Sequence, residues 1–144
     1  MLYAMTISLL IGGFIGCSNT TSTSTIDSID RDSLLKEKDV SLIRLIAKPG
    51  EYNNIPVRVK GFLNIEFEGD ALYLYKDDYQ SGIEKNGIWI EIPEDAILRT
   101  RIKACSKKYV IIEGIFDANN RGHMNLFSGS LKVVTRVDSL GVRR

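Results

Sequence analysis

Few residues of this chain of 144 residues are of a type that carries acid–base or nucleophilic chemistry. There is one histidine, His123, and there are two cysteines, Cys17 and Cys105. A single histidine excludes a metal site or proton relay built from several histidines. The sequence contains no Gly-rich phosphate loop, CxxC pair or nucleophile elbow. The residue types of His123, Asp117 and Ser128 would allow a catalytic triad. The favoured interpretation is that His123 is an ordinary loop histidine without a catalytic role.

The run DANNRG, residues 117–122, begins like the calcium-binding loop of an EF-hand, with glycine in sixth place. The twelfth place, however, is Ser128 instead of the bidentate glutamate, and Arg121 would oppose a cation. The residues therefore predict no metal, no cofactor and no catalytic centre.

Cys17 lies at the boundary between two contrasting segments. Residues 2–16 are uncharged and mostly apolar, a run too short to cross a bilayer as a helix but suited to the apolar region of a secretory signal. The next residues, 18–33, are rich in Ser, Thr and Asp and too polar to bury a core, which is typical of a flexible tether. The run Phe14-Ile15-Gly16-Cys17 resembles the lipobox of bacterial lipoproteins. Phe14 and the lack of a basic residue before the apolar run depart from that pattern.

The lipobox resemblance implies where the protein resides. Residues 1–16 would be the signal peptide, Cys17 the site of lipid (palmitate) attachment, and residues 17–38 the tether. The lipid anchor would hold the protein on the bacterial cell envelope. Ser18, in place of Asp, points to the outer membrane with the protein facing the periplasm. An uncleaved membrane anchor and a buried N-terminal helix are the alternatives.

The periodicity of apolar residues predicts one folded domain over residues 39–140, followed by a tail at 141–144. Asp39 is expected to cap a short helix that stops at Pro49-Gly50. Alternation from Ile55 to Phe67 indicates a long strand that bends at Gly61. Four more segments are predicted as strands, and the run 93–104 has acids near its start and bases near its end, as a helix favours. The four strands are 71–75, 87–92, 108–118 and 130–137.

Five strands with a helix between the third and the fourth are the plan of the OB-fold, a small closed barrel. The sequence therefore predicts a mainly β, five-stranded OB-fold-like barrel with a short N-terminal helix, and a β-sandwich is the main alternative. The runs IPVRVKGFLNIEFEG, ALYLYKDDY, KNGIWIEI and KYVIIEGIFDANNRGHMNLFSG resemble an uncharacterised family of bacterial OB-fold proteins, many of them lipoproteins. The resemblance covers residues 39–137. It implies this fold and a bacterial origin, and it assigns no catalytic residue.

An outward-facing aromatic strip is the candidate ligand-binding surface. OB-folds usually bind ligands on strands 2 and 3 between flanking loops. If the leucines and isoleucines of these strands fill the barrel, their aromatic neighbours face outward beside the last loop. The candidate residues are Tyr73, Tyr75, Trp89, Arg121 and His123. Rings beside arginine suit a sugar, a base or a protein chain. The alternative is that the rings pack under the N-terminal helix or the 76–87 loop.

The charge of the chain bears on the class of ligand. A net charge of +1 lacks the strongly basic footprint of a nucleic-acid-binding domain, and export to the envelope also argues against nucleic acid. The sequence favours a non-catalytic binding or adaptor module, held on the membrane through its lipid, that recognises an envelope protein or a glycan. An OB-type nucleic-acid-binding protein and an envelope hydrolase using His123 are the alternatives.

Overall fold

A computed structural model describes residues 38–141, so the predicted signal peptide, Cys17 and all but the last residue of the predicted tether lie outside the described residues. Within this part of the chain are six strands and three helices: β1 (Lys38–Asp39), α1 (Leu42–Ala47), β2 (Pro56–Asn64), β3 (Ala71–Tyr73), α2 (Lys76–Gln80), β4 (Gly87–Ile90), α3 (Ala96–Ala104), β5 (Lys108–Asp117) and β6 (Ser130–Ser139). None of these helices is long and apolar enough to cross a membrane.

Five of the strands close into a barrel. Their order is β2-β3-β4-β6-β5, and β5 returns to pair with β2. The β4–β6 pair is parallel, whereas the other four pairs of the barrel are antiparallel. This strand order, with α3 inserted between β4 and β5, confirms the predicted OB-fold-like barrel. Closure also removes the open sheet edges that would otherwise invite pairing with another chain.

The barrel interior is a single apolar cluster supplied mainly by alternate residues of the strands. In β2 these are Val57, Val59 and Leu63, which confirms the predicted buried face over that stretch. The helices close the cluster with fully buried side chains: Leu42 and Leu45 from α1, and Ile102 from α3. Because the strands bury their inner face in this cluster, their outer face is available for the aromatic residues described below.

The start of the domain differs from the sequence prediction. Asp39 belongs to β1, which pairs in parallel with β2, and the cap of α1 is Ser41, whose Oγ accepts a hydrogen bond from the Arg44 N–H at 3.4 Å. A strand of two residues has no alternation that a sequence pattern could reveal.

The end of β2 also differs from the prediction. The strand stops at Asn64, because the side chain of Asn64 donates to the carbonyl oxygen of Gly69 at 3.0 Å and closes the β2–β3 loop. Phe67, predicted on the buried face, therefore lies in this loop with 91% of its surface exposed.

Candidate functional site

Six aromatic rings form a continuous row on the outer surface of the barrel. Consecutive ring centroids are between 5.5 and 6.2 Å apart, and all five pairs meet tilted or edge to face, away from the face-to-face sandwich that aromatic pairs disfavour. The order along the row is Tyr109, Phe62, Tyr79, Tyr73, Phe127 and Trp89. The row joins the strands β2, β3, β4 and β5 to α2 and to the β5–β6 loop.

Tyr73 lies in the middle of this row and is buried. Tyr79 of α2 and Phe127 of the β5–β6 loop pack against its ring. Burial raises the pKa of the Tyr73 hydroxyl to about 12, because the charged phenolate would be poorly solvated there. Tyr73 therefore packs beneath the 76–87 segment, which was the alternative to an open binding surface. Part of its ring is covered by Tyr79 of α2. Tyr75 lies outside the row, at the start of α2, and is 57% exposed.

Trp89 is half-buried at the other end of the row and packs beneath the β5–β6 loop. A Cβ atom on Gly122 would lie 2.5 Å from Trp89 Cγ, so the loop backbone rests directly on the indole. Gly122, Met124 and Asn125 all have positive φ angles, a conformation that residues other than glycine adopt at a cost. The contact with the indole therefore holds this loop in a conformation that it would not adopt freely.

The β5–β6 loop meets the β2–β3 loop through an ionisable pair. His123 Nε2 lies 3.6 Å from Glu68 Oε2. The residue next to each of them exposes an apolar side chain, since Phe67 is 91% exposed and Met124 is 76% exposed. We call Phe67, Glu68, His123 and Met124 the loop rim. Arg121 is exposed on the same β5–β6 loop.

A cleft of about 510 Å³ adjoins the loop rim. Its walls combine apolar and charged side chains, namely Ile65, Glu66, Phe67, Asp70, Ile92 and Lys103. Partial burial raises the pKa of the Asp70 carboxyl above its usual range, against the opposing effects of a 3.0 Å hydrogen bond from the Glu66 N–H and of the Lys103 charge. The cleft therefore offers an incoming group an apolar wall beside a poorly solvated carboxylate.

The three residues considered as a triad each have a separate partner. The Asp117 carboxylate accepts a hydrogen bond from Lys132 Nζ at 2.7 Å, which lowers the pKa of this carboxyl. Ser128 Oγ donates to the carbonyl oxygen of Lys85 at 2.7 Å, and His123 faces the β2–β3 loop. Between residues 38 and 141 there is also no group of three His, Cys, Asp or Glu side chains placed to hold a metal. The contacts at this loop support its shape and are not arranged as a nucleophile–base pair.

Sequence reasoning missed the two most exposed residues of the loop rim. Phe67 continues the apolar alternation of β2, so the pattern places it inside, and the turn signal Glu68-Gly69-Asp70 ends the predicted strand only after Phe67. Met124 lies in a loop without periodicity, and nothing in the sequence indicates its exposure.

No protein-family model, curated protein or solved structure matches the chain.

Proposed function

We propose that this protein is a lipid-anchored, non-catalytic binding module of the bacterial cell envelope that docks a partner protein on its loop rim. The observation that carries the proposal is the pair of exposed apolar side chains, Phe67 and Met124, on two loops that meet at Glu68 and His123. Burying a phenylalanine or methionine side chain is worth about 2 kcal/mol, and protein interfaces place such anchors among polar neighbours.

A protein is favoured over a glycan or a nucleic acid because most of the aromatic row is covered. Recognition of sugars and bases by stacking needs an open ring face, and Tyr73 and Phe127 are buried by their own neighbours. Methionine, by contrast, is an adaptable apolar contact that is common at protein-binding surfaces. The Asp70 carboxylate in the adjoining cleft suits a basic or hydrogen-bonding side chain of that partner, whereas Glu66 already pairs with Lys107.

The proposed anchor is supported by the sequence before the domain. The apolar run of residues 2–16, the lipobox-like residues up to Cys17 and the polar run that follows are the pattern expected of a secreted, lipid-modified protein. The resemblance to bacterial OB-fold lipoproteins agrees with this interpretation.

Replacing Cys17 by serine is expected to abolish lipid labelling and to release the protein from membranes while the barrel stays folded. A serine hydroxyl does not replace the thiol that receives the lipid. Labelling of cells with a palmitate analogue, followed by fractionation, measures both effects. Cys105→Ser is the matched control, and it should label and fractionate like the wild type. Lipid labelling of Cys17→Ser would contradict the proposed anchor.

Replacing Phe67 and Met124 together by serine is expected to weaken partner binding at least tenfold, because two apolar anchors of about 2 kcal/mol each are lost. A photo-crosslinking amino acid at the exposed position of Arg121 reports the partner in cells. The wild-type background should give one discrete adduct that the double variant lacks.

The control for this experiment removes two exposed apolar side chains elsewhere, Ile43 of α1 and Ile97 of α3. Ile43→Ser with Ile97→Ser should leave the adduct unchanged. An adduct that persists in the Phe67/Met124 variant, or that both double variants lose equally, would show that the loop rim is not the docking site.

A further inference from the structure

A second cleft, of about 440 Å³, lies at the Tyr109 end of the aromatic row, whereas the loop rim adjoins the Trp89 end. Three lysines line it together with an apolar wall: Lys76, Lys107, Lys108, Phe62, Tyr109 and Leu140. Tyr109 is 43% exposed, so the most open ring of the row lies at this cleft. We call this cavity the lysine cleft.

The backbone brings the three lysines of the lysine cleft together. Lys107 and Lys108 lie at the turn from α3 into β5, where the Lys107 N–H donates to the carbonyl oxygen of Leu63 at 2.7 Å. Lys76 is the first residue of α2, and its N–H donates to the Tyr109 hydroxyl at 3.2 Å. Both attachments use main-chain donors, so they remain when a lysine side chain is replaced.

Positive charge in the lysine cleft is only partly balanced. Among the described residues, no Asp or Glu lines the cleft. Lys107 Nζ lies 3.4 Å from Glu66 Oε2 and also contacts Asn64 and Tyr79, while Lys108 Nζ donates to the Ala104 carbonyl oxygen at 3.0 Å. Elsewhere on the barrel, cations meet carboxylates closely, as Lys132 does with Asp117 at 2.7 Å. The cleft therefore keeps a net positive charge that an anion would neutralise.

We propose that the lysine cleft binds a phosphate group on a ligand that also has an apolar portion. Lysine ammonium groups bind phosphate as flexible point charges, and the hydroxyls of Tyr109 and Ser139 are further donors at the cleft. Phe62, Tyr109 and Leu140 form the wall for the apolar portion. The volume is larger than an inorganic ion needs and falls within the range of roughly 300–1,000 Å³ of small-molecule sites.

Two sources share this ligand chemistry: a phosphorylated lipid headgroup and a soluble phosphate ester. The proposal is independent of the loop rim, because a partner protein could bind there whether or not the lysine cleft holds a phosphate.

Titration of the isotope-labelled full-length chain with inorganic phosphate, in a neutral detergent, tests the anion site by NMR. Saturable shifts are expected at the amides of Lys76, Lys107, Lys108 and Tyr109. Lys76→Gln with Lys108→Gln should weaken binding at least tenfold, since two of the three charges are lost while both backbone attachments remain.

Lys38→Gln with Lys48→Gln is the control for the phosphate titration, because it removes the same charge outside both the lysine cleft and the cleft beside the loop rim. This control should bind within twofold of the wild type. Shifts that rise linearly without saturation, or equal weakening in both double variants, would overturn the proposal, since either result describes only general attraction of anions to a basic surface.

Two further probes distinguish the sources of the phosphate. Glycerol 3-phosphate represents a soluble ester, and vesicles of phosphatidylcholine with one-fifth phosphatidic acid represent a headgroup, with pure phosphatidylcholine vesicles as the reference. The proposal is supported if either probe binds and if Lys76→Gln with Lys108→Gln weakens that binding at least tenfold. The probe that behaves in this way identifies the source of the phosphate. If this double variant leaves binding of both probes unchanged, the proposal is wrong.

Discussion

Replacing Gly61 by alanine is expected to destabilise the barrel by about 3 kcal/mol. Gly61 lies in the middle of β2, where a Cβ atom would come within 2.6 Å of the carbonyl oxygen of Tyr73 and 2.7 Å of Leu72 Cγ. The Tyr73 oxygen belongs to the backbone of β3, so rotating a side chain cannot relieve the contact. Since β2 also pairs with β5 through this region, moving β2 away from β3 would disturb the closure of the barrel.

Gly50→Ala is the matched control for Gly61→Ala. No atom lies within 4 Å of a Cβ built on Gly50, so the change should alter the free energy of unfolding by less than about 0.5 kcal/mol. Urea unfolding followed by circular dichroism compares the two variants. Similar unfolding midpoints for the two would contradict the close approach of β2 and β3 that the barrel requires.

Replacing Gly122 by alanine is expected to lift the β5–β6 loop from Trp89 and to weaken cross-linking at the loop rim. Gly122 has φ +64° and ψ −156°, a backbone conformation that essentially only glycine adopts and that costs another residue about 1–3 kcal/mol, and its Cβ would lie 2.5 Å from the indole. The loop can relieve this clash by moving away, which would displace His123 from Glu68. The free energy of partner binding should therefore change more than the free energy of unfolding of the whole domain.

Gly82→Ala is the control for a side chain placed at positive φ without the clash with Trp89. Gly82 also has a φ of +64°, but the nearest atom to its Cβ is Glu84 Oε1 at 3.6 Å. Trp89 is the single tryptophan of the chain, so its fluorescence reports the loop directly. Gly122→Ala should increase quenching of Trp89 by acrylamide, and Gly82→Ala should not. Unchanged quenching and cross-linking in Gly122→Ala would disprove the contact between the loop and the indole.

The barrel strands could be predicted because burial imposes a period of two on a strand with one covered face. The predicted strands 87–92 and 108–118 correspond to Gly87–Ile90 and Lys108–Asp117. The prediction failed where alternation continued without a strand, at Phe67, since the hydrogen bond from Asn64 to Gly69 ends β2 and periodicity does not reveal it.

The candidate site was less predictable than the fold, because alternation shows which way a side chain points and not what covers it. The pattern separates Tyr73 and Trp89 from the barrel core correctly. Whether they meet solvent depends on Tyr79 and Phe127, which come from a short helix and a loop elsewhere in the chain.

Local residue patterns thus suffice for the sequence positions of the five barrel strands, the buried face of β2 and the hypothesis of a lipid on Cys17. Only the folded chain places Phe67 and Met124 on neighbouring loops, buries Tyr73, and gathers Lys76, Lys107 and Lys108 around Tyr109. The physical reason is that strand periodicity arises from contacts repeated along one segment. Loop conformation and surface clefts arise from single contacts between distant segments, which leave no repeating signal in the sequence.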